Sequence, residues 1–214
     1  MAETRRCTPV VTLNRQPESG RKFAPRVEVL GAFGAGKTTL ASSLRKEGVS
    51  LLLEQHEHNI FWHNPAANMA VGALAYDVSF LLQHHYLVAS DLNDDATRLG
   101  ICDWSFVTDD LWASLRQADE ELAVYRAIRE SLTRAYGGPV GYLYLNLPAT
   151  TVVGRQRARN RANENISDED ISVATQRLRQ LVGLLPSEKV LHVGESPDVS
   201  EIHRQIDQWL AEAT

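Results

Sequence analysis

The stretch Gly31-Ala32-Phe33-Gly34-Ala35-Gly36-Lys37-Thr38 fills every fixed position of the pattern G-x-x-x-x-G-K-[ST]. The chemistry of that spacing is phosphate binding. Glycines at 31, 34 and 36 remove Cβ atoms, so successive backbone N–H groups can wrap an anion, and a helix beginning at Lys37 aims its positive end at the same point. Lys37 reaches the β- and γ-phosphates of a nucleotide, and the Thr38 hydroxyl is a ligand for Mg2+. The candidate phosphate contacts are thus Gly31, Gly34, Ala35, Gly36, Lys37, Thr38 and Thr39. A Gly-rich turn that binds nothing would not need all of these positions filled between an apolar run and a helix-like run.

Two acids and a set of arginines extend this chemistry. Glu54 follows Leu51-Leu52-Leu53 directly, which places it at the mouth of a crevice, about one strand spacing from the phosphate loop if the two strands are near neighbours. A carboxylate there can take the proton of an attacking hydroxyl; the plainer reading is a solvated strand-end Glu or a cap partner. Asp103 ends another apolar run, where an acid can support a metal ion directly or through water, or can serve only as a turn residue before a helix at 108 or 109. Arg155, Arg157, Arg159 and Arg161 concentrate positive charge on more than one face of a helix. Guanidinium forks bind phosphate oxygens, which suits a mobile cover; the alternative is a solvated helix paired with Glu164, Asp168, Glu169 and Asp170. His56, His58, His63, His84 and His85 do not read as a metal site, because adjacent His84 and His85 share no helix face and His56 and His58 share a side only if extended. Phe61, Trp62, Tyr76, Trp104 and Phe106 are ring candidates for stacking a base, each equally suited to a core.

These residues need elements to hold them. Segments 26–30, 50–53, 99–103, 140–147 and 189–193 read as strands, and 37–46, 66–89, 108–115, 119–135, 150–161, 168–184 and 200–213 as helices. The alternation predicts an α/β fold, a five-stranded mostly parallel sheet with helices on both faces. In such a sheet ligands bind beyond the carboxyl ends of the strands, where the phosphate loop, Glu54, Asp103 and the arginine segment all fall. With 214 residues a single domain is expected, 25–214, after a flexible polar tail at 1–24 carrying Arg5, Arg6, Arg15, Arg21 and Lys22. A basic targeting arm is the other reading of that tail. The formal net charge of -5 argues against a nucleic-acid partner held by broad phosphate neutralisation. Cys7 and Cys102 suggest neither disulfide nor metal cluster, no run has the length of a membrane span, and a reducing cytoplasm is expected.

From Val27 to about Leu185 the chain resembles the deoxynucleoside kinase family, phosphate-loop enzymes that move the γ-phosphate of ATP to the 5′-hydroxyl of a deoxynucleoside. The phosphate loop, Leu52-Leu53-Glu54-Gln55-His56-Glu57-His58-Asn59, Phe80-Leu81-Leu82, Asp103-Trp104-Ser105 and Arg155-Gln156-Arg157-Ala158-Arg159-Asn160-Arg161-Ala162-Asn163-Glu164 carry the resemblance. It implies a single-domain P-loop kinase fold with an arginine-rich lid, ATP and Mg2+ as cofactors, a nucleoside-like small molecule as substrate and a homodimer, for which the apolar helix 71–89 is a candidate interface, although a buried core helix has the same pattern. It makes Glu54 the general base, with Lys37, Arg159 and Arg161 as charges on the transferring phosphoryl group. Arg155 and Arg159 become nucleotide contacts, Asp103 with Thr38 the metal side, and Glu164 a contact to the substrate 3′-hydroxyl.

The departures cluster on the acceptor side. The family's Glu-Pro is Glu54-Gln55, and its Asp/Glu-Arg-Ser is Asp103-Trp104-Ser105, so a ring replaces a cation near the reacting hydroxyl. A base-reading glutamine falls at Asp77 and a sugar-contacting tyrosine at Ala66. An ionised Asp77 only accepts hydrogen bonds, which favours donor-rich edges such as that of guanine. The expectation is therefore a purine-favouring deoxynucleoside kinase. Its rivals are a nucleoside monophosphate kinase, which would need a further cation for the acceptor's phosphate, and a degenerate ATP-binding sensor.

Overall fold

The computed structural model describes residues 23–63, 72–159 and 166–213. Residues 1–22 of the expected tail, the Ala66 position, Arg161 and Glu164 lie outside them. Phe23 and Ala24, counted with the tail in the sequence reading, are packed: the Ala24 N–H donates to Leu92 O at 2.9 Å and the Phe23 ring meets Tyr136 edge-on at 5.8 Å.

Short, largely apolar runs form the five strands β1 (Arg26–Leu30), β2 (Val49–Leu52), β3 (Leu99–Cys102), β4 (Gly141–Leu145) and β5 (Val190–Val193), of which β1 and β3 are buried throughout. Their order is β2-β3-β1-β4-β5 and every neighbouring pair is parallel. One expectation changes here. β2 is not the neighbour of β1, since β3 pairs with both, so the end of β2 stands two strand spacings from the phosphate loop, roughly 10 Å.

The helices are α1 (Lys37–Ser43), α2 (Ile60–His63), α3 (Ala73–Asp91), α4 (Phe106–Arg116), α5 (Asp119–Thr133), α6 (Ala149–Arg159), α7 (Asp168–Val182) and α8 (Val199–Glu212). Val27 and Val29 face a core built with Leu40 and Ala41 of α1 and Ile202, Ile206 and Trp209 of α8. Leu30, Leu52 and Cys102 face the opposite side, where α3, α4, α5 and α7 supply Leu81, Leu111, Tyr125 and Leu178. Helix α4 starts two residues earlier than the sequence suggested, because Ser105 caps it by accepting from the Val107 N–H at 3.0 Å. That start lets Asp109, Trp112 and Arg116, at helical spacing, share one face. No helix among the described residues is long and apolar enough to cross a membrane.

Candidate active site

The phosphate loop runs from β1 into α1 with Gly34 at φ 82° and Gly36 at φ 99°, the left-handed region where a side chain is strained. A Cβ on Gly34 would also lie 3.0 Å from Gln156 Cβ and 3.1 Å from Val152 O, so α6 rests directly on the loop. Arg155 fastens that contact by donating from Nη1 to Ala35 O at 3.1 Å, while Lys37 Nζ donates to Gly31 O at 3.1 Å and Ala32 O at 3.3 Å. The loop is thus shaped as an anion cradle with its lysine folded across it.

Asp103, at the end of β3, joins this loop to the end of β2. Its Oδ2 accepts from Thr38 Oγ1 at 2.6 Å and its Oδ1 from the Glu54 N–H at 2.7 Å. The parallel register that pairs Leu52 with Cys102 makes this possible, because it brings both strand ends to the same level. Burial raises the Asp103 carboxyl above its usual value against the pull of those two hydrogen bonds. Two hard oxygens, the Thr38 hydroxyl and the Asp103 carboxylate, in contact beside a phosphate cradle fit a magnesium ion.

Glu54 stands at the rim with 29% of its side chain exposed. Burial pushes its carboxyl up, but the contact and charge of His84, then Lys37 and His56, outweigh that and leave it below the ordinary value. His84 is fully buried, with Nδ1 2.8 Å from Asp109 Oδ2 and Nε2 3.4 Å from Glu54 Oε1. Burial alone would lower the imidazole; Asp109 and then Glu54 push it up to about 10. The sequence reading weighs His84 only as a metal ligand and gives it no place beside Glu54. The signal that could have found it is the stripe Asp77, Leu81, His84 and Val88 on the buried face of α3, which puts two polar residues where only apolar ones are expected.

Glu54, Asp77, Asp103, Arg155, Arg159 and the loop from Gly34 to Thr39 line one cavity of about 950 Å³. Trp62, Tyr76, Phe80 and Trp112 also line it, as do Gly194, Glu195, Pro197 and Val199 after β5, which the sequence reading did not single out. Arg155 and Arg159 face inward at i and i+4, whereas Arg157 pairs outward with Asp168, as the solvated-helix reading had it. Gly31, expected among the nucleotide contacts, does not line the cavity; a Cβ there would lie 3.0 Å from Ala35 Cβ, so its part is to let the loop fold back on itself. Trp104 does not reach the cavity: it is 2% exposed, stacked flat on His84 at 4.0 Å and 2°, and edge-on to Phe106 at 5.2 Å. Asp77 lines the cavity with Oδ1 accepting twice from Arg116 and Oδ2 once from Gln117, so most of its acceptor capacity goes to positioning Arg116. Arg116 in turn lies over Tyr76 and Trp112, with its guanidinium carbon 5.2 and 5.6 Å from the ring centroids.

No family model matches the chain. It is 27% identical over 163 residues to the deoxyguanosine kinase of Bacillus subtilis (strain 168), covering 74% of this chain and 75% of that one. Among solved structures, deoxyadenosine kinase from M. mycoides with the products dCMP and a flexible dCDP bound superimposes with TM-score 0.69 at 16% identity, over 87% of this chain and 99% of that one. The same enzyme with bound dCTP gives 0.66 at 16% identity, over 86% and 99%. The NadR protein in complex with NAD and AMP-PNP gives 0.61 at 15% identity, over 88% of this chain and 50% of that one. Sequence likeness and fold together mark the chain as deoxynucleoside kinase-like, a single α/β phosphate-loop domain built on a five-stranded parallel sheet.

Proposed function

We propose that the protein transfers the γ-phosphate of ATP to the 5′-hydroxyl of a deoxynucleoside, with purines favoured. The observation that carries this reading is that the phosphate cradle and Glu54 open onto the same cavity, with Asp103 bonded to both sides. ATP lies with its terminal phosphates against Gly34–Thr39, and Lys37, Arg155 and Arg159 balance its charge. Thr38 and Asp103 would hold a magnesium ion, which when bound would supply positive charge to offset that of the transferring phosphoryl group. Glu54 takes the proton as the acceptor oxygen bonds to the γ-phosphorus; the bond from that phosphorus to the β-bridging oxygen breaks, and ADP leaves. Arg159, at the end of α6, belongs to the cover over the reacting groups, and a cytoplasmic salvage enzyme acting as a homodimer completes the reading.

The purine preference rests on Arg116 and not on Asp77. With Nε and Nη2 spent on Asp77, Arg116 retains an Nη1 edge between Tyr76 and Trp112. Arginine donors match the adjacent O6 and N7 acceptors of guanine. Because Asp77 offsets its charge, Arg116 suits a neutral base better than an acceptor phosphate, which weighs against a monophosphate kinase. The test is ADP release with each of the four deoxynucleosides and with deoxynucleoside monophosphates. Deoxyguanosine is expected to lead; a clear thymidine preference defeats the purine assignment, and no acceptor-dependent ADP release defeats the kinase reading.

A further inference from the structure

We propose that His84 is a positioning residue for Glu54: a buried imidazolium, stacked on Trp104 and anchored by Asp109, that holds the Glu54 carboxylate at the cavity rim. The inference rests on the reading of Glu54 as the base. Both nitrogens of the ring face carboxylate oxygens, Nδ1 toward Asp109 at 2.8 Å and Nε2 toward Glu54 at 3.4 Å. A neutral imidazole would turn a lone pair on one of them, so the geometry calls for a ring protonated at both nitrogens. The Nε2 contact is an ion-pair distance and not an aligned hydrogen bond. It therefore restrains Glu54 without consuming its acceptor oxygen.

Trp104 explains how such a cation is kept so deep. The indole lies parallel to the imidazole, and its own N–H finds no hydrogen-bond partner among the described residues. The ring is thus placed for its face, and a cation over an indole face is attracted by the ring quadrupole. Phe106 and Phe80 close the remaining sides at 6.4 Å each, which shields the pair from water. In a water-poor site a fixed cation beside a carboxylate sets its direction at no reorganisation cost during reaction. Trp104, which by resemblance displaced an expected arginine, becomes the platform for a cation that arrives instead from α3. The other charged groups around this cluster are Lys37 and His56, across Glu54, and Asp77, near Asp109.

The experiment combines imidazole ¹⁵N NMR of the wild-type protein with kinetics and crystal structures of H84Q and H84R. Near neutral pH both His84 nitrogens should carry protons; a neutral ring overturns the inference without reference to turnover. In H84Q the acceptor-saturated kcat should fall about 100-fold with KM for ATP and nucleoside little changed, and Glu54 should leave its place at the rim. H84R keeps a planar cation on Trp104 and should recover most of that loss. Full kcat in H84Q, or an unmoved Glu54, overturns the inference. If H84Q does not fold, the wild-type nitrogen signals and H84R still decide it. Failure of the kinase reading shows separately, as a wild-type protein with charged His84 and no acceptor-dependent ADP release.

Discussion

At the scale of single residues, spacing made the donor side legible, whereas the acceptor side depended on contacts that spacing cannot show. Four fixed positions in eight residues announce a phosphate cradle, because each has a backbone or charge requirement that other residue types fail. Glu54 and Asp103 were legible for a different reason: acids directly after apolar strands stand at the carboxyl edge of a parallel sheet. Asp77 was not, since its partners Arg116 and Gln117 lie 39 and 40 residues away and reach it only through the packing of α4 against α3. The roles proposed for Lys37 and Glu54 separate cleanly in kinetics. Glu54→Gln keeps the shape of the rim and removes the proton acceptor, so kcat should fall by about 10² to 10⁴ while ATP affinity holds. Lys37→Ala should instead weaken ATP binding by roughly 1.5–3 kcal/mol, the worth of a charged hydrogen bond, as read by nucleotide titration calorimetry. Full turnover in the Glu54 variant would remove it from the role of base.

At the scale of elements, type and place were legible in every strand and in the longer helices, most boundaries falling within one or two residues where caps and turns decide; the short α2 (Ile60–His63) was not expected, α1 stops at Ser43 and not at 46, and α3 begins at Ala73 after Gly72 and not at 66. The start of α4 shows why: Ser105 caps it, but the expected pattern counted only apolar periodicity. The order of the sheet was not legible, because chain order carries no information on which parallel neighbour a crossover reaches. One feature of β1 also escaped notice. Arg26 and Glu28, 3% and 1% exposed, lie on the same face of a core strand and pair at 2.9 Å. Glu28 Oε2 accepts from the Phe106 N–H at the head of α4, and Arg26 donates to Gly137 O ahead of β4. This pair ties three elements at one point beneath the site. Replacing Glu28 by Gln leaves a buried guanidinium short of its counter-charge, which costs about 3 kcal/mol. Urea unfolding of Glu28→Gln should show that loss in midpoint, with nucleotide affinity of the folded fraction unchanged; a loss below about 1 kcal/mol would mean that water reaches the pair.

At the scale of the whole molecule, the buried imidazolium makes stability depend on pH in a direction opposite to that of an ordinary acid-labile protein. His84 binds its proton more tightly folded than unfolded, with the folded value near 10 against 6.5 for a free histidine. Its stabilisation is therefore complete below about 6.5 and is lost as pH rises toward 10. Other groups bound the window in which this can be read. His85 is lowered by burial, so its contribution is lost as pH falls through 6.5, on the acid side. Glu54, held below its usual value, loses its contribution only in more acidic solution still. Cys102 is raised well above 9.0 by burial, so unfolded thiols add a second alkaline loss from there upward. Asp103 and Asp109, raised by burial, add losses of the same sign as pH rises through their folded values, so between pH 6.5 and 9.0 the part of the slope that belongs to His84, up to about 1.4 kcal/mol per pH unit for one proton, is the part that removing the imidazole takes away. Thermal melts across that range should show the melting temperature of the wild type falling with rising pH, with a steeper slope than that of H84Q, in which the carboxyls raised by burial still titrate. A flat wild-type profile would mean that His84 is neutral in the folded protein, and the charge assigned to the centre of the site would be wrong.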